Sequence, residues 1–331
     1  MQLKQLITLT NETEGILQNY ANIYEIKEFS SLEELETYQK ELEYYILLQK
    51  DLRDMEKMLE NCQIPLSKEK KDKMKEWLYQ YQTIKNAEYI TLEESLLVTA
   101  TDETITWANA RNIPVLAYQN PNICGQNLSQ VEMIVEGFEE VDGAFLKRVW
   151  QRYHHLPWTI AETQRCIIRE LTLNDMDALF TLYADKDIAK FTENLFDKEE
   201  ETEYQRAYIN NMYRYFGYGI WLVFHKETGE LIGRAGLEHR EYGEELELEL
   251  GYVIGKKYQR QGYATEVCKA IIDYARDEIC AFGVNCLIEE ENTASIALAE
   301  KLGFQFLEYF ETEGKKMLRF RIAFDTESMA E

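Results

Sequence analysis

Apolar residues in the first part of the chain recur at helical spacing. From Leu32 to Leu59 they fall at every third or fourth position, which predicts a long amphipathic helix. Ser31 and Glu34 stand before this run at the spacing of a capping box, so we expect the helix to begin there. Its apolar stripe must be covered. We expect cover from inside its own domain, and the alternative is a second copy in a coiled-coil homodimer.

A second helix and a mixed segment are predicted farther along. Pro65 and the charged run SKEKKDKMKE interrupt the first pattern, and helical spacing resumes afterwards. The apolar positions of this second helix are Trp77, Leu78, Tyr81 and Ile84. Residues 95–121 then read as a strand, a short helix and a second strand that ends at Tyr118, which predicts a βαβ unit of Rossmann type.

The second half of the chain alternates short apolar strands with glycine-containing turns. Three of these strands follow one another closely and predict an antiparallel meander. Strands are expected at residues 166–171, 220–224, 231–239, 246–254, 284–288, 304–309 and 317–322. Helices are expected from Asn174, at residues 199–215, after residue 262 and at residues 293–302. The predicted fold class is therefore mixed α+β.

The chain is strongly acidic. It contains 36 Lys and Arg against 60 Asp and Glu, which gives a net charge of −24 over 331 residues. Nucleic-acid binding needs a basic face, so this composition argues against DNA or RNA as a partner. The charge would attract a cationic substrate, although it also simply keeps a protein soluble.

The positions of cysteines, histidines and apolar residues argue against a metal-binding protein, a secreted protein and a membrane protein. The six cysteines include no C-x-x-C pair, and the four histidines lack cysteine partners at zinc-finger spacing, so no metal site is expected. Reduced thiols of the cytoplasm are the natural interpretation. The first 15 residues lack the apolar core of a signal peptide, and no stretch approaches the roughly 20 apolar residues of a membrane span. We therefore expect a soluble cytoplasmic protein with no membrane partner.

The most informative segment is Leu246–Thr265, where a strand that alternates Leu and Glu runs into a tight turn. The turn is QRQGYA at residues 259–264. Gly262 allows close approach of the backbone to a ligand, and the N–H groups at the start of the following helix form a site for phosphate. This arrangement suits a cofactor that carries a pyrophosphate.

Four short motifs accompany the meander. They are ELGY at 249–252, QRQGYA at 259–264, NTAS at 292–295 and EKLGF at 300–304. With them, the chain from Arg165 to Ile322 resembles the GNAT acetyltransferase superfamily, and within it most of all the branch that acetylates the N-termini of ribosomal proteins. The resemblance implies a GNAT acyltransferase fold over residues 163–325, with acetyl-CoA as co-substrate and no metal.

The resemblance also implies which residues hold acetyl-CoA. The backbone of the turn would face the pyrophosphate, helped by the helix dipole. Its residues are Arg260, Gln261, Gly262, Tyr263, Ala264 and Thr265. The strand end formed by Tyr252, Val253 and Ile254 would hydrogen-bond the pantetheine arm and the thioester oxygen through its backbone. Asn292 would bond the cofactor arm or, alternatively, cap the helix that follows it.

Proton transfer is assigned to two residues. The acceptor amine must lose a proton before it attacks, and Glu249 is the candidate base. The alternative is that Glu247 and Glu249 only form the solvated face of a strand. Many family members place a tyrosine in the last helix as the acid for the thiolate, but Ala299 stands at that position here. Ser295 is the candidate substitute, unless it only lines or caps that helix.

Residues 1–155 are expected to form a separate accessory domain, helical with a small βαβ part, that ends near His154. Asp102 and the segment Asn112–Val115 resemble the late part of haloacid-dehalogenase-type phosphatases, where a strand ends in an acidic residue before G-I-P-V. The chain lacks a D-x-D nucleophile motif near its start, so hydrolysis by this half is the least favoured function.

The function predicted from these features is acetyl-CoA-dependent acetylation of a primary amine, either a protein N-terminus or a small molecule such as a polyamine or aminoglycoside. The aromatic residues from Tyr204 to Trp221 are expected to be mostly core and partly acceptor cleft. The acidic residues from Asp197 to Glu203 would attract a cationic acceptor or form a solvated helix start. The alternative function is a non-catalytic module that binds acetyl-CoA or a partner.

Overall fold

A computed structural model of the chain describes residues 2–13, 15–60, 67–82, 86–184, 188, 194–243, 245–312 and 314–324. The chain divides into two units, Met1–Leu156 and Pro157–Glu331. Some positions used above lie outside the described residues, namely Pro65, Ile84, residue 325 and one of the six cysteines, Cys62, together with the side chains of Leu59 and Trp77.

The described residues of the N-terminal unit form five parallel strands in the order β2-β1-β3-β4-β5. The strands are β1 Gln5–Leu9, β2 Glu25–Phe29, β3 Ser95–Thr99, β4 Val115–Tyr118 and β5 Ile134–Val135. Every residue of β1, β3 and β4 is buried, as is typical of parallel strands covered on both faces. The predicted βαβ unit is confirmed. Sequence analysis missed β1 and β2, because β1 is short and includes the polar Gln5 and Thr8.

Besides the short helical segment Thr10–Thr13, the described residues of this unit form four helices, and those that flank the sheet cover both of its faces. The helices are α1 Leu32–Glu60, α2 Lys68–Gln80, α3 Asp102–Asn109 and α4 Gly143–Tyr153. Leu35 of α1 and Ile105 of α3 pack on one face, while Leu146 and Trp150 of α4 pack on the other. No helix in the part of the chain that the structure describes is long and apolar enough to cross a membrane.

The first two helices differ in detail from the sequence prediction. The apolar stripe of α1 is covered within the unit at Leu35, by the sheet, and at Leu52, which packs against Leu78 of α2. The hydroxyl of Ser31 accepts from the N–H of Glu34 at 3.3 Å, as the predicted capping box requires, but the Glu34 carboxylate accepts from the N–H and hydroxyl of Ser30, both at 2.7 Å. The expectation that the charged run at 67–76 breaks the helical pattern is wrong, because α2 begins within it. Lys and Glu are good helix formers on an exposed surface.

In the C-terminal unit, the part of the chain that the structure describes forms eight strands in the order β12-β13-β11-β10-β9-β8-β7-β6. The strands are β6 Thr159–Glu162, β7 Cys166–Arg169, β8 Ile220–His225, β9 Leu231–Tyr242, β10 Glu245–Ile254, β11 Gly283–Glu289, β12 Gln305–Thr312 and β13 Lys315–Ala323. The helices are α5 Met176–Tyr183, α6 Lys198–Tyr208, α7 Tyr263–Asp277 and α8 Thr293–Lys301. The predicted meander is confirmed as β8-β9-β10, and the mixed α+β class with it. Strand β6 was not predicted.

Helix α7 packs on the sheet beside β10. Alternate residues of β10, among them Leu248 and Leu250, enter the same core as Val267 and Ile271 of α7. These helix residues are four positions apart and lie on one face, so the helix lies flat on the strands. This packing sets the start of α7 close to the end of β10.

Strands β10 and β11 are parallel neighbours that pair at one position only, Glu249 with Asn285. Beyond it, β10 continues to Ile254 and remains paired with β9 on its other side. Asn285 is fully buried at this junction, where its Nδ2 donates to the carbonyl of Leu248 at 3.2 Å and its Oδ1 accepts from Arg319 at 3.0 Å. The edge of residues 250–254 that faces β11 is therefore left for another partner.

Candidate functional site

The turn after β10 leaves the start of α7 without a side-chain cap. Gly262 is the N-cap residue and has φ +86°, in the left-handed region that residues with a Cβ rarely adopt. Arg260 also has a positive φ, of 56°. Glycine has no side chain that could accept hydrogen bonds from the first N–H groups of α7, so these groups stay available to a ligand. A helix N-terminus in this state suits an anion, and phosphate in particular.

Two glutamines hold the turn in place. The side chain of Gln259 donates to the carbonyl of Ile254 at 2.9 Å, and so joins the turn to the last residue of β10. The side chain of Gln261 donates to the carbonyl of Lys257 at 2.7 Å. The helix start and the open strand edge are thus fixed relative to each other by side chains of the turn itself.

An ion pair that sequence reasoning missed supports the turn from the connection between β6 and β7. The carboxylate of Glu266, in the first turn of α7, accepts from the hydroxyl of Thr163 at 2.6 Å and from the backbone and side chain of Arg165 at 2.8 and 2.7 Å. Arg165 also donates to the carbonyl of Gln261 at 3.1 Å, and its guanidinium lies 4.0 Å from the ring centre of Tyr263. The partners are about a hundred positions apart, so no local pattern could have revealed the contact.

The strand end offers its backbone rather than its side chains. Tyr252 and Ile254 point into the core beneath α7, and Val253 packs on the opposite face against Leu182 and Ile188. The side chains are thus occupied by packing. Any ligand along this edge would meet N–H and C=O groups, as the sequence leads us to expect.

Glu249 is shielded from solvent and has two hydrogen-bonding neighbours. Its Oε2 accepts from the hydroxyl of Tyr242 at 2.7 Å and forms an ion pair with Arg240, and no described residue donates to Oε1. Burial raises the pKa of this carboxyl above its ordinary value, and Arg240 and Tyr242 oppose the shift without cancelling it. Glu249 therefore holds a proton more readily than a surface glutamate does.

Glu247, two residues earlier, is held in a different way. It lies between Arg319, at 2.6 Å, and Arg321, and it also accepts from the side chain of Asn285 at 3.0 Å. Burial raises the pKa of Glu247, but the hydrogen bond from Asn285 and the two arginines outweigh it, and the net pKa is lowered. The alternative that both glutamates form a solvated strand face is wrong, because their side chains are only 12% and 17% exposed.

Ser295 lies near the start of α8 and faces β10. Its N–H donates to the side-chain oxygen of Asn292 at 3.2 Å, so Asn292 does cap this helix, with its amide nitrogen remaining for another partner. The Ser295 side chain hydrogen-bonds to the phenol of Tyr252, whose pKa is raised mainly by burial. Ala299 is buried, as expected of a small residue facing the core. Sequence reasoning did not identify this hydrogen bond between the Ser295 hydroxyl and the Tyr252 phenol.

Tyr252 and Glu249 lie on opposite faces of β10, because residues three positions apart on a strand point to opposite sides. The structure therefore places the candidate base and the candidate acid on either side of the open edge. Within the described ranges, no group of three or more His, Cys, Asp or Glu side chains is placed to hold a metal ion.

Comparison with known proteins connects this geometry to a family. Residues 165–305 match the acetyltransferase (GNAT) domain family. The chain is 30% identical over 145 residues to the uncharacterized protein YkkB of Bacillus subtilis (strain 168), a match that covers 44% of this chain and 84% of YkkB. It is 28% identical over 144 residues to the uncharacterized N-acetyltransferase p20 of Bacillus licheniformis, which covers 43% of this chain and 80% of p20.

A solved structure is also similar. The GNAT-family acetyltransferase of Bacillus anthracis is 24% identical and has a TM-score of 0.42, with 49% of this chain and 96% of that chain covered. The matched range, 165–305, lies inside the C-terminal unit.

The substitution Glu266→Gln tests the support of the turn. Burial raises the pKa of Glu266, but the hydrogen bonds from Thr163 and Arg165 outweigh it and hold the pKa below the ordinary 4.5. A carboxylate with a lowered pKa in the folded state contributes stability above its unfolded pKa, and this stability is lost as the pH falls through the folded pKa. We expect Glu266→Gln to lower the unfolding temperature at neutral pH, and its difference from wild type to shrink below pH 4.5.

Asp277→Asn is the matched control, because Asp277 forms an exposed pair with Arg276 that contributes little stability. Thermal unfolding of wild type and both variants, followed from about pH 7 to about pH 3, gives the comparison. A difference for Glu266→Gln that stays constant over this range would contradict the assignment.

Proposed function

Residues 165–305 make this chain a member of the GNAT acetyltransferase family, and we propose that it moves the acetyl group of acetyl-CoA to a primary amine. The main support is the open helix start at Gly262 beside the unpaired strand edge at residues 250–254. The helix start suits a pyrophosphate, and the strand edge suits an extended amide-bearing arm. Acetyl-CoA carries both groups on one molecule.

In this proposal the cofactor is held mainly by backbone groups. The N–H groups of the turn would bind the pyrophosphate. The residues concerned are Arg260, Gln261, Gly262, Tyr263, Ala264 and Thr265. The edge of β10 at Tyr252, Val253 and Ile254 would pair with the pantetheine arm as an added strand does. The amide nitrogen of Asn292, which the cap of α8 does not use, would donate to the cofactor arm.

Glu249 is proposed as the base. An ammonium group must lose a proton before its nitrogen can attack, and a base works best when its pKa is near the working pH. The raised pKa of Glu249 moves this carboxyl in that direction. Oε1 is the oxygen left to take the proton, directly or through a water molecule, while Tyr242 and Arg240 hold Oε2.

The remaining steps of the reaction would use groups on the open edge of β10 and on the face opposite Glu249. The neutral amine attacks the thioester carbonyl, and the N–H groups of the strand edge stabilise the developing oxyanion. The carbon–sulfur bond then breaks, and the thiolate takes a proton from the hydroxyl of Ser295. The attacking nitrogen gives up its second proton as the amide forms, and this proton restores the Ser295 hydroxyl through water. Tyr252 hydrogen-bonds to that hydroxyl and holds it in position. Ser295 and Tyr252 together would replace the tyrosine that the sequence lacks at Ala299.

The acceptor is proposed to be cationic before it reacts. Glu199 and Glu200 are exposed at the start of α6, whereas Asp197 caps that helix and Glu201 is buried against Gln205. The exposed carboxylates and the overall negative charge would attract an amine. The ELGY and NTAS motifs favour a protein N-terminus of the ribosomal kind, and small amines are the other candidates.

An acceptor screen tests the function. The full chain is incubated with acetyl-CoA and a panel of amines, including peptides with free N-termini, polyamines and aminoglycosides, and release of free thiol is measured. We expect amine-dependent thiol release with at least one class. Tight binding of acetyl-CoA without release for any amine would favour a non-catalytic binding module. No binding at all would contradict the proposal.

Gly262→Val tests the pyrophosphate site. Valine at φ +86° is strained by about 1–3 kcal/mol, so the turn must shift and its N–H groups lose their alignment. We expect the dissociation constant for acetyl-CoA, measured by isothermal titration calorimetry, to rise at least about tenfold. Gly243→Val is the control, since Gly243 also has a positive φ but lies before β10, at the strand end far from the turn. Unchanged affinity in Gly262→Val would exclude this turn as the clamp.

Glu249→Gln tests the base. The rate should fall as the pH drops through the pKa of Glu249, which lies above the ordinary 4.5, because only the ionised carboxyl can accept a proton. We expect the substitution to lower kcat/KM by about 10²–10⁴ and to remove this acidic limb. Ser295→Ala should also lower kcat/KM but leave the acidic limb in place. A Glu249→Gln enzyme with the wild-type pH profile would rule out this role.

A further inference from the structure

The sheet of the N-terminal unit has a switch point at its centre. The chain passes from β1 to β2 on one side and then to β3 on the other side of β1, all in parallel. In open parallel sheets, ligands bind in the crevice outside the carboxyl ends of the strands where the order reverses. That crevice lies between the residues that follow β1 and those that follow β3.

A carboxylate of the chain itself occupies this place. Glu12 follows β1 and is only 2% exposed. Its Oε2 accepts from the hydroxyl of Thr99 and from the N–H of Ala100 at 3.0 Å. Its Oε1 accepts from the hydroxyls of Thr101 at 2.8 Å and Thr104 at 3.3 Å. Four donors from β3 and the start of α3 thus converge on one buried carboxylate.

The donors are all neutral. No lysine or arginine in the described part of the chain forms an ion pair with Glu12. A buried charge is costly unless it is paired or fully hydrogen-bonded, and here hydroxyl and backbone N–H groups at a helix N-terminus satisfy it. Hydroxyl and N–H groups that converge at a strand–helix junction are also the donors that hold phosphate and carboxylate ligands. The donor set is therefore that of an oxyanion site.

Neighbouring loops close the crevice around Glu12. Asn120, after β4, donates to the carbonyl of Glu12 at 2.8 Å. Gln126 donates to the carbonyl of Ala100 at 2.6 Å. Asp102, the acidic residue after β3, accepts from two backbone N–H groups of the same loop, at 3.0 and 3.1 Å. Glu12 itself lies in a helical segment of four residues, too short to be stable alone, so these contacts fix its position.

We propose that the switch-point crevice of the N-terminal unit is an oxyanion site that Glu12 fills as an intramolecular ligand. While Glu12 is in place, a phosphate or carboxylate ligand would meet a negative charge and no free donor, so the native crevice is closed to it. Withdrawal of the carboxylate leaves the donor set open for a small oxyanion. This inference is independent of acetyl transfer, which concerns the other unit.

Glu12→Ala in the full chain is the direct test, with acetate as the probe. The methyl group of alanine and one acetate ion together replace the atoms of the glutamate side chain. We expect acetate, but not chloride at equal ionic strength, to raise the unfolding temperature of Glu12→Ala by about 2–4 °C in a saturable manner. Hydrogen–deuterium exchange should show that acetate restores protection in the peptide that covers residues 95–109.

Glu12→Gln is the matched control, because its amide is uncharged but still fills the crevice. Wild type and Glu12→Gln should show no acetate-specific protection at residues 95–109, whereas inorganic phosphate should protect Glu12→Ala as acetate does if the crevice is wide enough for a tetrahedral ion. Acetate protection in Glu12→Ala alone supports the proposal, with or without phosphate protection. An equal response of all three proteins to acetate, or no response in Glu12→Ala, overturns it.

If Glu12→Ala does not fold in the absence of a carboxylate, refolding it still tests the oxyanion site. Glu12→Ala is then refolded into acetate and into chloride, and the yield of folded protein is compared. Recovery in acetate alone supports an oxyanion site. Equal failure in both salts shows that Glu12 acts only as a covalently attached cap.

Discussion

The single pairing of β10 with β11, at Glu249 and Asn285, is the constraint on which the proposed cofactor site depends. A strand inside a sheet normally has neighbours on both edges. Backbone N–H and C=O groups on an unpaired edge are available to hydrogen-bond another chain or a ligand. Here residues 250–254 keep only β9, and the side chain of Gln259 satisfies one exposed carbonyl, that of Ile254. The remaining groups form a short edge beside the start of α7. An extended ligand with an anionic end fits both features without a change in the fold.

Glu247 and Glu249 lie on one face of β10, but their surroundings shift their pKa values in opposite directions. Glu247 lies between two arginines and Asn285, with a lowered pKa, and it stays ionised as part of the joint between β10, β11 and β13. Glu249 has a raised pKa because burial outweighs the ion pair with Arg240 and the hydrogen bond from Tyr242. Carboxyl groups whose environments move their pKa values apart are suited to different tasks. The pattern of alternating Leu and Glu cannot distinguish them, since the difference comes from strands far away in the sequence.

Sequence patterns predicted the features that depend on neighbouring residues and missed those that depend on contacts between residues far apart in the chain. The meander, the turn at Gly262 and the helix before Gly303 are local, and period-two alternation and glycine positions were enough for them. The contact of Arg165 with Glu266, and the phenol of Tyr252 behind Ser295, need the folded sheet. In the N-terminal unit, β1 was missed because it is short and includes the polar Gln5 and Thr8, and one hydrogen-bond partner of Gln5, Ser95, lies far along the chain.

The two units use the same local arrangement with opposite results. In each, a strand leads through a turn into a helix whose first N–H groups can bind an anion. At α7 the N-cap is Gly262, which has no side chain, and the site stays available to an external anion. At α3 the N-cap is Thr101, and its hydroxyl, with those of Thr99 and Thr104, already binds the carboxylate of Glu12. Backbone geometry alone therefore does not make an anion site functional. What decides is whether the chain supplies its own anion.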